Sequence, residues 1–582
     1  MNNWKFWIEG LKAKPFSALG VLVLLVIPVT LLLVFRSQDT RSSAASPDKL
    51  ETEAGVLTTS GATLKSDSGA SGGKFVEFSD TANKPTLTLD KLKAFPTAYG
   101  GGASTKGGRG GIVVLVNTLD YDAPLTYVPA SGGREAYYTG GIEPALENTT
   151  IGPRYIIFDV SGNIDANLPI TYDRNDPRYT TRSGSGVYRS TPNLGFITLL
   201  GQTAPEGGVT LYRSWLQLIR QQEIIIRHFR VRTYLLRGSG DPIGDDATTI
   251  PFKIGSKQII IDHSSASHGG DKGLILGDWG PDYPHLNLTA QWNTVLDSAT
   301  SMFSVDGSSN EDASWNVADN VSWFYNLSMS SHRTPNSGGG NSQYSIEVQN
   351  NVLQTNATRF GNIATGKPSV NYINNYYDVI DRNAIVQNKV QTAYTPSIHA
   401  SGNFYRTNSG TVLSGTQGED NSVIFGYFFT SESLPSAMFT SVNKYGDIPY
   451  QAPLYSAQEA KTKVLANAGA NRFIKDDGNR VTFKDSFDSL AVGRFNNRQG
   501  FNKDWSGFSL PNIPQNTRPS NYYQTVIGIP EWFVVKHGIT DKDQVIRDWD
   551  FDSYIVVNNA GYPAIEMYAA WVAGDFEELL GI

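Results

Sequence analysis

The stretch Ile259-Ile260-Ile261-Asp262-His263-Ser264-Ser265-Ala266-Ser267-His268-Gly269-Gly270-Asp271 runs a β-branched strand straight into a dense set of side chains that handle protons. An Asp-His pair of this kind serves acid–base chemistry in some proteins and plain structural hydrogen bonding in many others, so its meaning depends on the rest of the chain. Asp245-Asp246 is the dense acidic candidate. Adjacent residues of a strand point to opposite faces, which argues against a hydrolase built on two facing carboxylates. With no cysteine in the chain, disulfides, thiolate metal sites and thiol nucleophiles are excluded.

The elements that hold these residues read as short strands. The 48 basic and 55 acidic residues leave a net charge of -7, which argues against a nucleic-acid-binding surface. The 57 Gly, 28 Tyr, 27 Phe and 11 Trp residues fit an all-β, turn-rich body with aromatic platforms of the kind that suit sugar rings. Apolar runs such as Ile112–Val116, Tyr155–Val160, Phe196–Leu200 and Glu223–Ile226 are bounded by Gly, Asn, Ser or Asp. A rough repeat runs through His263, Asn293, Asn326, Asn351, Asn375 and Asn403, in steps of 30, 33, 25, 24 and 28 residues. That period, with few two-residue hairpin turns, predicts the coils of a parallel β-helix rather than a sandwich or propeller, with side-chain amides stacked in a ladder at the bends.

The ends differ from this body. Phe16 to Phe35 is apolar apart from Ser17, Pro28 and Thr30, and Lys5, Lys12 and Lys14 precede it. This predicts a cytoplasmic segment over 1–15, a membrane-spanning signal anchor over 16–35 and export of everything that follows, secreted outright if cleaved near Ser43-Ala44-Ala45. Residues 36–74, rich in Ser, Thr, Gly and Ala, are expected to be a flexible linker. The β-helix is expected over 75–455. Helical patterns at Ser456–Asn467 and Ala564–Leu580 predict a partly helical C-terminal extension over 456–582 that packs on and caps the solenoid.

Several phrases resemble the pectate lyases, in their exported bacterial form. They include Gly107-Gly108-Arg109-Gly110-Gly111, Pro153-Arg154-Tyr155-Ile156-Ile157-Phe158-Asp159-Val160-Ser161-Gly162, and Gly201-Gln202-Thr203-Ala204-Pro205-Glu206-Gly207-Gly208. Further matches are Ile225-Ile226-Arg227-His228-Phe229-Arg230-Val231-Arg232, the Asp262-His263 run, Val370-Asn371-Tyr372-Ile373-Asn374-Asn375 and Ile529-Pro530-Glu531-Trp532. The likeness covers roughly residues 92–560, in order.

The resemblance implies a right-handed parallel β-helix acting on an acidic polysaccharide by calcium-assisted β-elimination. It implies calcium ligands at Asp246 and Asp271, with Asp245 as helper, a base at Arg333 in Ser331-His332-Arg333-Thr334-Pro335, and substrate contacts at His268 and His332. Asp262 is expected to satisfy turn amides and His263 to stack within the ladder. The chain departs from the family pattern at Ser267-His268, where Ser-Trp is usual, at Lys272, where a second acid is common, and at Asn336, where a second arginine is expected. The changes at Lys272 and Asn336 lower charge complementarity to calcium or a polyanion. The competing expectation is a catalytically silent β-helix that binds polysaccharide.

Overall fold

The computed structural model describes residues 84–582 apart from internal stretches, among them 173–194, 238–249, 270–272, 299–303, 306–315 and 331–335; before residue 84 it describes only the strands Ala62–Ser66 and Lys74–Phe78. The chain divides into two compact units, Met1–Lys84 and Pro85–Ile582. In the first unit these two strands pair antiparallel, Ala62 opposite Phe78, so part of the stretch expected as linker is a hairpin. The expected anchor over 16–35 lies outside the described residues, and no helix among the described residues is long and apolar enough to cross a membrane.

In the second unit three sheets run alongside one another, of twelve, nine and six strands among the described residues. The central coils contribute one strand to each sheet, as in Lys257–Asp262, Ser265–Ser267 and Leu274–Leu276, and the next coil adds His285–Gln291, Thr294–Ser298 and Ser304–Val305 in parallel register. Strand order follows chain order coil by coil, which defines a parallel β-helix. The first sheet is covered on both faces, which is why its strands read as unbroken apolar runs. Ile224, Ile226, Ile259 and Ile261 point into the solenoid core, while Ile225 and Ile260 pack outward under Ala94, Phe95, Ala98 and Ala103.

Between the first and second sheets each coil turns through one residue at positive φ: His228 (50°), His263 (43°), Trp292 (55°), Tyr325 (57°), Asn350 (55°), Asn374 (51°) and Gly402 (66°). The next residue carries the ladder. The backbone N–H of Asn293 donates to Asn326 Oδ1 (2.9 Å), that of Asn326 to Asn351 (3.0 Å), that of Asn351 to Asn375 (2.9 Å), that of Asn375 to Asn403 (2.9 Å) and that of Asn403 to Asn421 (2.7 Å). His263 therefore belongs to the neighbouring column, and Ser264, whose N–H donates to Asn293 Oδ1 at 2.9 Å, is the ladder position of its coil. A left-handed conformation costs a bulky L-residue about 1–2 kcal/mol. Here it stacks the rings in a column, His228 on His263 (5.0 Å), His263 on Trp292 (5.6 Å) and Trp292 on Tyr325 (4.5 Å).

The remainder of the second unit closes this solenoid. Arg154 caps the short helix Ile142–Glu147 by donating to Ala145 and Leu146 carbonyls, and Gly108 and Gly111 are required because a Cβ would fall 1.9 Å and 2.0 Å from the Arg154 and Pro153 carbonyl oxygens. Ser456 and Glu459 form a capping box on the helix Ala457–Asn467, and Ala564–Ala573 and Asp575–Leu580 form two helices broken at left-handed Gly574. These C-terminal elements lie on the β-helix through buried ion pairs: Arg227 with Asp575 (2.7 Å), Arg232 with Asp485 (2.8 Å) and Asp488 (2.9 Å), and Arg494 with Asp297 (2.7 Å). Arg230 adds hydrogen bonds to the Ala470 and Phe483 carbonyls. The Arg227–Arg232 phrase is thus the seam between solenoid and extension.

Candidate active site

Asp245, Asp246, Asp271, His332 and Arg333 lie outside the described residues, but the strands on either side of them are described. In sequence Asp245 and Asp246 follow the strand Leu236–Arg237, which pairs with Thr171–Tyr172 in a separate small sheet, and precede Ile250–Lys253 of the third sheet. Asp271 falls between Ser265–Ser267 and Leu274–Leu276, and His332 and Arg333 fall between Leu327–Ser330 and Asn336–Ser337. The second-sheet strands of these coils follow one another, Arg230–Arg232 beside Ser265–Ser267, then Thr294–Ser298, then Leu327–Ser330. Neighbouring strands are about 4.8 Å apart, so the coil bearing Asp271 lies one step from that of Asp246 and two steps, about 10 Å, from that of Arg333.

His268 is described, and its surroundings correct the expectation of a substrate contact. The residue is 3% exposed, its Nδ1 is 2.8 Å from Ser267 Oγ, and its ring packs against Phe487 and Phe508, each at 4.8 Å. Burial, reinforced by Arg232 and Arg494, holds its pKa well below the ordinary imidazole value, so it is a neutral core residue beneath the C-terminal extension.

Asp262 also differs from its expected role. It is fully buried, and its carboxylate meets three side chains rather than turn amides: Arg227 Nε (2.8 Å), Gln291 Nε2 (2.9 Å) and His263 Nδ1 (2.9 Å). Burial opposes its charge, but His263 and Arg227 outweigh that and hold its pKa well below the usual carboxylate range. Together with His228, these residues bring ligand-type atoms within 4.8 Å of one another. They do not suit a cation. The two imidazoles lie nearly parallel (18°), so their lone pairs do not converge, and Arg227 already neutralises the one carboxylate. His228, with no hydrogen-bond partner on either ring nitrogen, is kept neutral by burial and by His263 and Arg227. The Asp262-His263 pair is scaffold. What sequence reasoning missed is Arg227, whose acidic partner Asp575 lies 348 residues away.

No protein-family model matches the chain. By sequence it is similar to "Probable pectate lyase C" of Aspergillus oryzae, 28% identical over 66% of this chain and 74% of that protein, and to the protein of the same name from Aspergillus flavus at the same identity and coverage. The Emericella nidulans protein of that name is 27% identical over 49% of this chain and 53% of its own length. Among solved structures the chain is similar to a pectate lyase from Bacillus sp. N165 in complex with trigalacturonate, with a TM-score of 0.39 and 15% identity over 64% of this chain and 98% of that one. A pectate lyase from Paenibacillus sp. 0602 gives a TM-score of 0.42 and 12% identity over 65% and 97%. Those scores are low, and the β-helix rests on the strand order of this chain itself. The class is an all-β parallel β-helix. By sequence the chain is a relative of proteins named as pectate lyases, and these sequence relatives are fungal, so the bacterial form expected from the sequence is not the one they represent.

Proposed function

We propose that this chain is a polysaccharide lyase of the pectate-lyase type, cleaving a uronate-containing polymer by β-elimination. The reading is supported by the parallel strand order of the β-helix and by sequence relatives that bear that name, with Asp246, Asp271 and Arg333 standing in sequence between strands of nearby coils. Hard carboxylate oxygens from adjacent coils fit calcium. Asp246 and Asp271, with Asp245 beside them, would hold the ion, whose charge would withdraw electron density from the substrate carboxylate and acidify the C5 proton. Arg333 takes that proton, the C4–O bond breaks, and the new C4–C5 double bond marks the product. His332 lies beside the base as a substrate contact. Lys272, next to Asp271, replaces a common acid, which weakens metal affinity and sets a higher calcium requirement.

The apolar run Phe16–Phe35 supports a membrane anchor with the body exported, readable as retention of the chain in the membrane fraction after a carbonate wash. Activity is tested by incubating the full chain with polygalacturonate, with and without calcium, and following the absorbance of the conjugated double bond. The reading expects product only with calcium. Absence of product from polygalacturonate, alginate and other uronate polymers overturns it in favour of the non-catalytic polysaccharide-binding β-helix.

A further inference from the structure

On a different corner of the solenoid, between its first and second sheets, the C-terminal extension leaves a cleft of about 1000 Å³. Its floor is the ring column, His263 and Trp292, and its walls come from the helix Ala457–Asn467, the strand pair Arg472–Ile474 and Arg480–Thr482, and the two last helices. A volume of this order suits an oligosaccharide and far exceeds that of a small inorganic anion.

Two of its cations can meet an anion. Lys463 and Arg472 line the cleft and neither makes an ion pair among the described residues, Lys463 lying over the Tyr455 ring at 4.7 Å and Arg472 donating to Thr482 Oγ1 at 2.8 Å. The carboxylates present are already neutralised. Glu577 is paired with Arg480, and exposed Asp552 with Lys536. Glu578 is pushed up to about 8 by burial and by the charges of Asp575 and Asp262, which favours its neutral form. Hydroxyl-binding groups stand beside the cations. Asn467 and Asn479 line the cleft, and His263, with Nδ1 committed to Asp262, has Nε2 as the ring nitrogen left for a ligand hydroxyl.

We propose that this cleft is a second saccharide site, which binds a carboxylate-bearing oligosaccharide through Lys463 and Arg472 without cleaving it. A site there would hold polymer on the face formed by the extension.

The test is calorimetric titration of the full chain with trigalacturonate in excess EDTA, which removes calcium from the lyase groove. Binding is expected for wild type and for Arg333→Ala alike, and Lys463→Glu, an exposed change with matched circular dichroism, weakens it by about tenfold or more, the worth of one charge-assisted hydrogen bond. Arg472→Gln is the second variant and is expected to weaken binding in the same direction. No binding to wild type, or unchanged affinity in both variants, overturns the proposal. Displacement by acetate or phosphate at concentrations comparable to the saccharide also overturns it, by reducing the cleft to a general anion site. The lyase reading fails by a different result, bound trigalacturonate with no unsaturated product when calcium is restored.

Discussion

Replacing Asn351 with alanine tests whether the asparagine ladder holds the coils together. Asn351 Oδ1 accepts from the Asn326 backbone N–H (3.0 Å) and from Asn326 Nδ2 (2.9 Å), while its Nδ2 donates to the Trp323 carbonyl (2.8 Å), the Gln349 carbonyl (3.1 Å) and Asn375 Oδ1 (3.1 Å). Both Asn326 and Asn351 are fully buried. Removing the amide strips the Asn326 N–H of its acceptor where no water reaches it, at a cost of about 1–3 kcal/mol, and removes further hydrogen bonds worth about 1 kcal/mol each. The expected loss is about 3–5 kcal/mol, large for a polar substitution. Urea unfolding followed by tryptophan fluorescence measures it, with exposed Thr462→Ala as a control expected to stay within about 0.5 kcal/mol. An Asn351→Ala protein no less stable than that control would refute the idea that the ladder, rather than the core alone, fixes the bends.

Two further perturbations act on buried charge. Arg227→Met leaves Asp262 and Asp575 facing each other in the interior without their shared cation, so a loss of about 3–5 kcal/mol and early proteolytic release of the C-terminal helices are expected; an unchanged melting temperature would contradict the seam described above. Glu347, 6% exposed on the first sheet, is pushed by burial from 4.5 up to about 8. Its folded-state pKa is raised, so its contribution is intact below about pH 4.5 and is lost as pH rises through 8, with an upper bound of about 5 kcal/mol. Glu347→Gln is therefore expected to melt with wild type at pH 4 and above it at pH 9, and parallel pH profiles for the two proteins would show that the carboxyl is not desolvated.

The repeating part of this fold is legible in the sequence because its cause is local and recurs. Each bend needs an amide at the same place, so Asn293, Asn326, Asn351, Asn375 and Asn403 stand out at coil-length spacing. The one-residue error at His263 has a physical source. Ladder and left-handed columns are adjacent, and where serine replaces asparagine in the ladder the neighbouring ring is the more conspicuous residue. The role of Asp262 was hidden for another reason. Its partner Arg227 sits one coil earlier, and the Asp575 that completes the arrangement is in the C-terminal helix, a separation no periodicity encodes. His268 was misread because sequence cannot say which face the extension covers; Phe487 and Phe508 arrive from more than two hundred residues downstream. The cleft containing Lys463 and Arg472 was invisible for the same reason, since it exists only where the extension meets the ring column.

The central claim is that Arg333, two coils on from Asp271, is the base of a β-elimination. It is tested most directly by the turnover of calcium-loaded wild type, Arg333→Ala and Arg333→Lys on polygalacturonate. The account predicts unsaturated product from wild type, loss of kcat by about a hundredfold or more in Arg333→Ala with binding of the polymer retained, and partial recovery in Arg333→Lys. Equal turnover in wild type and Arg333→Ala would contradict it.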